Sequence, residues 1–148
     1  MPIGLIDSSW GGTIVEAWSP PEALAACDVT DNGIGEENNH NEYLWNGMIY
    51  PLLKMTIRYL SQFLVIEYDH SPRGAVWYQG EQNAGYPGEY GGWNRDIYDC
   101  TFESMINAWR DRWHETTEGS TDPYFPFGFV QLAPFTAQRD NFAWPILR

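Results

Sequence analysis

The sequence predicts an α/β fold, and three observations carry that expectation. Short apolar runs at residues 2–6, 74–78 and 127–132 each stop at polar or glycine-containing segments, as buried strands do when they deliver side chains at their carboxyl ends. Between the second and third runs, Ile97, Phe102, Met105, Ile106, Trp109 and Trp113 recur as one broad apolar stripe of helical spacing. A length of 148 residues suits one domain with a real hydrophobic core.

In chain order, the first run is Pro2-Ile3-Gly4-Leu5-Ile6, followed by Asp7-Ser8-Ser9-Trp10-Gly11-Gly12-Thr13. A glycine pair after a strand permits close backbone approach and places bare N–H groups at a turn. Residues 14–18 continue as a brief helix, which sets those groups near its positive end. Pro20 and Pro21 open a second short helix running through Leu24 to Cys27. Residues 28–41 are polar, acidic and glycine-containing and read as a surface loop, with His40 as a loop histidine. In residues 43–56, Leu44, Met48, Leu52 and Met55 predict a buried amphipathic helix, kinked or restarted at Pro51. Asn46 within it reads as a structural amide more than as a ligand donor.

The second run matters most: Ala75-Val76-Trp77-Tyr78-Gln79-Gly80-Glu81-Gln82-Asn83. It is a buried strand that ends abruptly in amides and a carboxylate. Ligands in open α/β sheets bind outside the carboxyl ends of strands. Trp77 and Tyr78 ahead of Gln79 and Glu81 are also the residue types found in the wall of a sugar pocket. A strand whose polar end merely caps a loop is the bland alternative. Residues 84–93 form a Gly/Tyr/Pro loop, and the long helix then starts with Asn94 or Asp96 as its N-terminal cap. After a polar turn at 115–123 comes the third strand, Phe127-Gly128-Phe129-Val130-Gln131-Leu132.

Composition narrows the partners. Aromatic residues make up 16% of the chain, with eight tryptophans, which opposes disorder and suits a packed or carbohydrate-binding protein. The formal net charge of -12 disfavours nucleic acid and anionic membranes. No apolar stretch is long enough to cross a membrane as a helix, and no signal peptide precedes the first run. Cys27 and Cys100 lack metal-type spacing; they pair in an oxidising compartment or remain buried thiols. No metal or other cofactor is expected.

The two glycine-bearing blocks carry a resemblance. Residues 2–6 with Ser8-Ser9-Trp10-Gly11-Gly12-Thr13 and Glu16-Ala17-Trp18-Ser19 resemble the second conserved block of the sialate O-acetylesterases, which are SGNH-type serine esterases. Val76-Trp77-Tyr78-Gln79-Gly80-Glu81 resembles their third block. Leu44-Trp45-Asn46, the register of Tyr98, Cys100, Trp109-Arg110 and His114, and the last strand match the family too. The resemblance implies a three-layer, SGNH-hydrolase-like (flavodoxin-like) α/β fold with a parallel sheet, present here incompletely. Residues 1–148 correspond to its central part, with an aberrant insertion suspected at 58–72.

The same resemblance implies hydrolysis of O-acetyl esters on sialic acid or related sugars through a serine acyl-enzyme. N–H groups of Gly11 or Gly12 and the side chain of Gln79 are the implied oxyanion donors, and Trp10, Trp77, Tyr78, Glu81 and Asn83 the implied substrate contacts. The family's nucleophile block lies upstream of this region and its Asp-x-x-His block downstream, so neither is expected in this chain. Ser9 is a decoy because Asp7 stands where an elbow would need glycine. Asp111 and His114 spell Asp-x-x-His but sit one turn apart near a helix end, and His70 falls in the suspected insertion. The chain alone is therefore expected to be marginally stable and inactive. Alternatives are a catalytically dead carbohydrate-binding module using Trp10, Trp77, Tyr78 and Trp93, or a gene-model fragment without a role of its own. Family membership implies a lysosomal or secreted location.

Overall fold

The computed structural model describes residues 5–35, 37–55, 74–86 and 90–133. A 3₁₀ turn at Val15–Trp18 leads into helix α1, Pro21–Ala26, whose proline occupies the first turn, where its missing N–H costs nothing. A further 3₁₀ turn lies at Glu37–Asn39, and a π-helical turn at Trp45–Ile49 runs straight into a 3₁₀ turn at Tyr50–Leu52. Strand β1 is Ala75–Trp77 and helix α2 is Glu81–Ala84; β2, Gly85–Tyr86, and β3, Tyr90–Gly91, form an antiparallel pair. A 3₁₀ turn at Arg95–Ile97 opens α3, Tyr98–Thr116, and strand β4 is Phe127–Phe129.

The sheet that matters is parallel. β1 pairs with β4 with Ala75 opposite Phe127, Val76 opposite Gly128 and Trp77 opposite Phe129. Gly74 leads into it because a Cβ there would sit 2.5 Å from the Pro126 carbonyl oxygen. Helix α3 covers one face: Tyr98, Thr101, Met105, Ala108, Trp109 and Trp113 are buried at three- and four-residue spacing. Its end is closed by the Gly119 N–H on the His114 carbonyl (2.8 Å), with Gly119 at φ +80°.

The core is aromatic. Trp77 lies at its centre, with ring centroids of Trp18 and Trp109 at 5.8 Å, both edge-on, and Phe102 stacked at 6.0 Å. Edge-on and offset pairs of this kind add roughly 0.5–1.5 kcal/mol beyond area burial. The indole N–H groups of Trp109 and Trp113 are satisfied on the Trp18 and Met55 carbonyls, at 3.0 and 2.9 Å. Cys27 at the end of α1 is bonded to Cys100 in α3. At the other end of α1, Arg112 makes a two-pronged contact to Glu22 at 2.6 and 3.0 Å, which holds the Glu22 carboxyl below its usual range.

Several sequence expectations change. The described chain is mixed α/β with two parallel strands, not three. Residues 1–4 lie outside the described residues, and Leu5 and Ile6 form no strand and are 95% and 51% exposed. Backbone extends stably only against a hydrogen-bonded neighbour, and among the described residues none lies beside them. The helix expected over residues 43–56 is instead the π and 3₁₀ turns. The N–H of Tyr50 reaches back to Trp45, so the buried positions become Leu44, Trp45, Ile49 and Leu53. Pro51 enters at the switch between the turns, where its ring suits the start of a new helical turn. Helix α3 has no side-chain cap: Asn94 takes φ +48° and its amide reaches Asp31 at 3.3 Å. The suspected insertion at 58–72 and the tail from 134 onward lie outside the described residues.

Candidate functional site

Gly11 and Gly12 form an exposed turn, with Gly12 at φ +73°, a conformation that suits a residue without Cβ. The turn is anchored from behind. Thr13 is buried, its hydroxyl donating to the Trp10 carbonyl and accepting from the Trp18 indole, both at 2.9 Å. Asn39 clamps the same segment by donating to the Gly12 carbonyl (3.0 Å) and accepting from the Ile14 N–H (2.8 Å). The next N–H, that of Val15, goes to Asn83 Oδ1 at 2.9 Å. Among the described residues the Gly11 and Gly12 N–H groups have no partner.

Gln79 meets this turn from β1. Its Nε2 donates to the Thr13 carbonyl at 2.8 Å and to Asn83 Oδ1 at 2.7 Å. Its Oε1 accepts from the Tyr98 hydroxyl at 3.1 Å, and the Gln79 backbone carbonyl, 3.2 Å from the same hydroxyl oxygen, is an alternative acceptor. Acceptors on one side and a donor on the other define which atom of the amide is which. Gly80, at φ +142°, then turns the chain into α2. The structure thus brings Gln79 against the Gly12–Thr13 turn across sixty-six positions of sequence.

The remaining predicted residues separate. Asn83 is fully buried, and all its amide valences are used: Nδ2 donates to Glu16 Oε2 and to the Trp93 carbonyl, both at 2.9 Å. Trp77 is 8% exposed and sits in the core, whereas Tyr78 is 66% and Trp10 54% exposed. Trp93 is half-buried, and the Glu81 carboxylate in the first turn of α2 makes no hydrogen bond among the described residues. Ser9 donates to the Asp7 carboxylate, and no serine among the described residues bonds an imidazole. His114 Nδ1 lies 2.8 Å from the Thr121 carbonyl and closes the end of α3, which accounts for it without Asp111.

Two residues emerge that sequence reasoning did not single out for the site. Asn39 holds the glycine turn. Glu16, quoted only as part of a matching block, is fully buried beneath it. Burial pushes the Glu16 carboxyl above its ordinary value, partly opposed by the bond from Asn83. Burial likewise pushes the Tyr98 hydroxyl up, so it stays a donor to Gln79 throughout the neutral range. Along α3 an open cleft of about 620 Å³ is lined by Gln79, Tyr98, Phe102, Arg110, Phe129 and Leu132, among others; Gln79 and Leu132 follow β1 and β4, while Arg110 is bonded to the Phe125 carbonyl ahead of β4. Only its Gln79 and Leu132 side lies at the carboxyl ends of the strands, where parallel sheets bind ligands. Among the described residues no cluster of three or more potential metal ligands occurs.

No protein-family model matches the chain. Over 146 aligned positions, covering 95% of it, the chain is 42% identical to the sialate O-acetylesterases of Homo sapiens and Pongo abelii. To that of Mus musculus it is 36% identical over 179 positions, covering 99% of the chain. The chain is homologous to the sialate O-acetylesterases. It spans 24% of the length of the human and orangutan esterases and 29% of the mouse one. The stretch shared with these sialate O-acetylesterases therefore includes both the Gly11–Gly12 turn and Gln79, the two segments the structure places in contact. No described helix is long and apolar enough to cross a membrane.

Proposed function

We propose that this chain carries the oxyanion side of a sialate O-acetylesterase-type site. The substrates would be O-acetyl esters of sialic acid or related acetylated sugars, bound in a three-layer SGNH-like fold. The observation that carries this is the 2.8 Å bond between Gln79 Nε2 and the Thr13 carbonyl. It sets a side-chain amide donor beside a turn with two unpartnered backbone N–H groups. When a serine attacks an acetyl carbonyl, the oxygen takes up negative charge and needs donors at about 2.7–3.1 Å. Gln79 exchanges the Thr13 carbonyl for that oxygen, and Gly11 or Gly12 supplies the second donor. The nucleophile and the base come from polypeptide outside this chain, so the chain by itself cleaves no ester. Tyr78, Trp10 and Glu81 remain the candidates for sugar contact. The disulfide supports a lysosomal or secreted location.

The test is a chimera in which this chain replaces the corresponding stretch of the human sialate O-acetylesterase. The chimera is expected to release acetate from O-acetylated sialic acid, and Gln79→Ala to lower its kcat by about a hundredfold or more. An active chimera indifferent to Gln79→Ala would sink the donor role. Sialoside binding by the isolated chain without turnover in the chimera would favour a carbohydrate-binding module instead.

A further inference from the structure

We propose that Glu16 and Asn83 are positioning residues that fix which way the Gln79 amide faces. Both are fully buried, so neither can meet a substrate. Glu16 Oε2 accepts one Asn83 Nδ2 proton and the Trp93 carbonyl accepts the other, both at 2.9 Å. Asn83 Oδ1 is thereby turned the opposite way, where it accepts from the Val15 N–H at 2.9 Å and from Gln79 Nε2 at 2.7 Å. The second Nε2 proton of Gln79 is left pointing at the Thr13 carbonyl, on the side of the glycine turn. Reversing Asn83 would set its NH₂ against two donors and its oxygen against two acceptors, so four favourable contacts would become four repulsive ones.

The buried carboxyl needs a reason to be there. Burying it is costly, Glu16 Oε1 has no hydrogen-bond partner among the described residues, and an apolar side chain of that volume would stabilise a core at least as well. What the carboxyl provides is an acceptor for Asn83. Glu16 also belongs to the 3₁₀ turn at Val15–Trp18, which begins three residues after Gly12. One short segment therefore supplies the backbone donors and, through Asn83, orients the side-chain donor opposite them.

The role in catalysis rests on Gln79 being an oxyanion donor, but the positioning can be read without any ester. In the ¹⁵N-labelled 148-residue chain, side-chain amide protons of Gln79 and Asn83 are expected to exchange with solvent at least about tenfold more slowly than those of exposed Asn32 and Asn46. Glu16→Ala is expected to speed exchange at Gln79 about fivefold or more, the equivalent of one lost hydrogen bond. Glu16→Gln, which keeps an acceptor oxygen for Asn83, should restore Gln79 to within about twofold of the parent. Gln79 exchanging as fast as Asn32 in the parent overturns the proposal, and that measurement decides even if Glu16→Ala does not fold. A folded Glu16→Ala chain with Gln79 unchanged, or a Glu16→Gln chain that fails to restore it, overturns it too. An active chimera indifferent to Gln79→Ala would remove the donor role while leaving these exchange rates as they are, so the two failures are told apart.

Discussion

Replacing both cysteines by serine, Cys27→Ser with Cys100→Ser, should cost about 4 kcal/mol of stability. The bridged residues are 73 positions apart, and the chain-entropy cost of leaving so long a loop open is about 4 kcal/mol. The other tie at this junction cannot replace it. Arg112 and Glu22 have side chains 45% and 40% exposed, and an exposed pair of this kind contributes roughly 1 kcal/mol or less. Domains of this size hold on the order of 5–15 kcal/mol in all, so the loss would take a large share. Urea unfolding followed by tryptophan fluorescence measures it, and heating should show the melting temperature lowered by roughly 10 °C. A double variant within about 1 kcal/mol of the parent would refute the reasoning. It would mean that the segments between the cysteines already restrict one another in the unfolded chain.

Three further outcomes can be checked. Trp77→Ala removes the centre of the aromatic core and should destabilise by about 3–5 kcal/mol, whereas Tyr78→Ala, one residue on but exposed, should stay within about 0.5 kcal/mol of the parent; parallel urea titrations compare them. Gly12→Ala meets no steric obstacle but must hold φ at +73°, which should cost about 1 kcal/mol in the same assay. Because the folded Glu16 carboxyl titrates above its ordinary value, the native state keeps that proton longer than the unfolded chain does. Its contribution is full below the ordinary carboxyl value and is lost as pH rises through the raised one. The stability of Glu16→Gln relative to the parent should therefore increase as pH rises from the ordinary carboxyl value through the raised one, and an unchanged difference would contradict the burial.

How much of this was legible in the sequence follows from the range of the forces involved. Helix α3 was readable because its buried positions, from Met105 to Trp109 to Trp113, repeat within one element. The ends of β1 and the proline start of α1 are local signals as well. The expectation that Trp77 and Tyr78 share a pocket wall overlooked a local rule: neighbours on a strand face opposite ways, and the sheet buries Trp77 while exposing Tyr78. The turn at Trp45–Ile49 was unreadable because the one-residue widening of its hydrogen bonding leaves no mark on hydrophobic spacing. The positions of Glu16, Asn39 and Asn83 could not be read, and Asn83 was expected at the substrate instead of in the core, because their hydrogen bonds form only where segments 25 to 68 positions apart converge. Composition says nothing of such meetings.

The pairing of β1 with β4 also bears on the order in which the molecule assembles. Ala75 finds its partner only at Phe127, with the whole of α3 between them. Contacts of that separation form late, since the loop must close before anything is gained. On a ribosome, β1 waits for β4 to emerge, and Gln79, just beyond β1, waits with it. Helix α3 draws on local contacts, whereas the meeting of Gln79 with the Thr13 carbonyl spans 66 positions and has its own loop to close. The same logic runs in reverse. An opening that detaches β4 would loosen Gln79 while α1 and α3 stay joined through Cys27 and Cys100, so the site should open before the helices part.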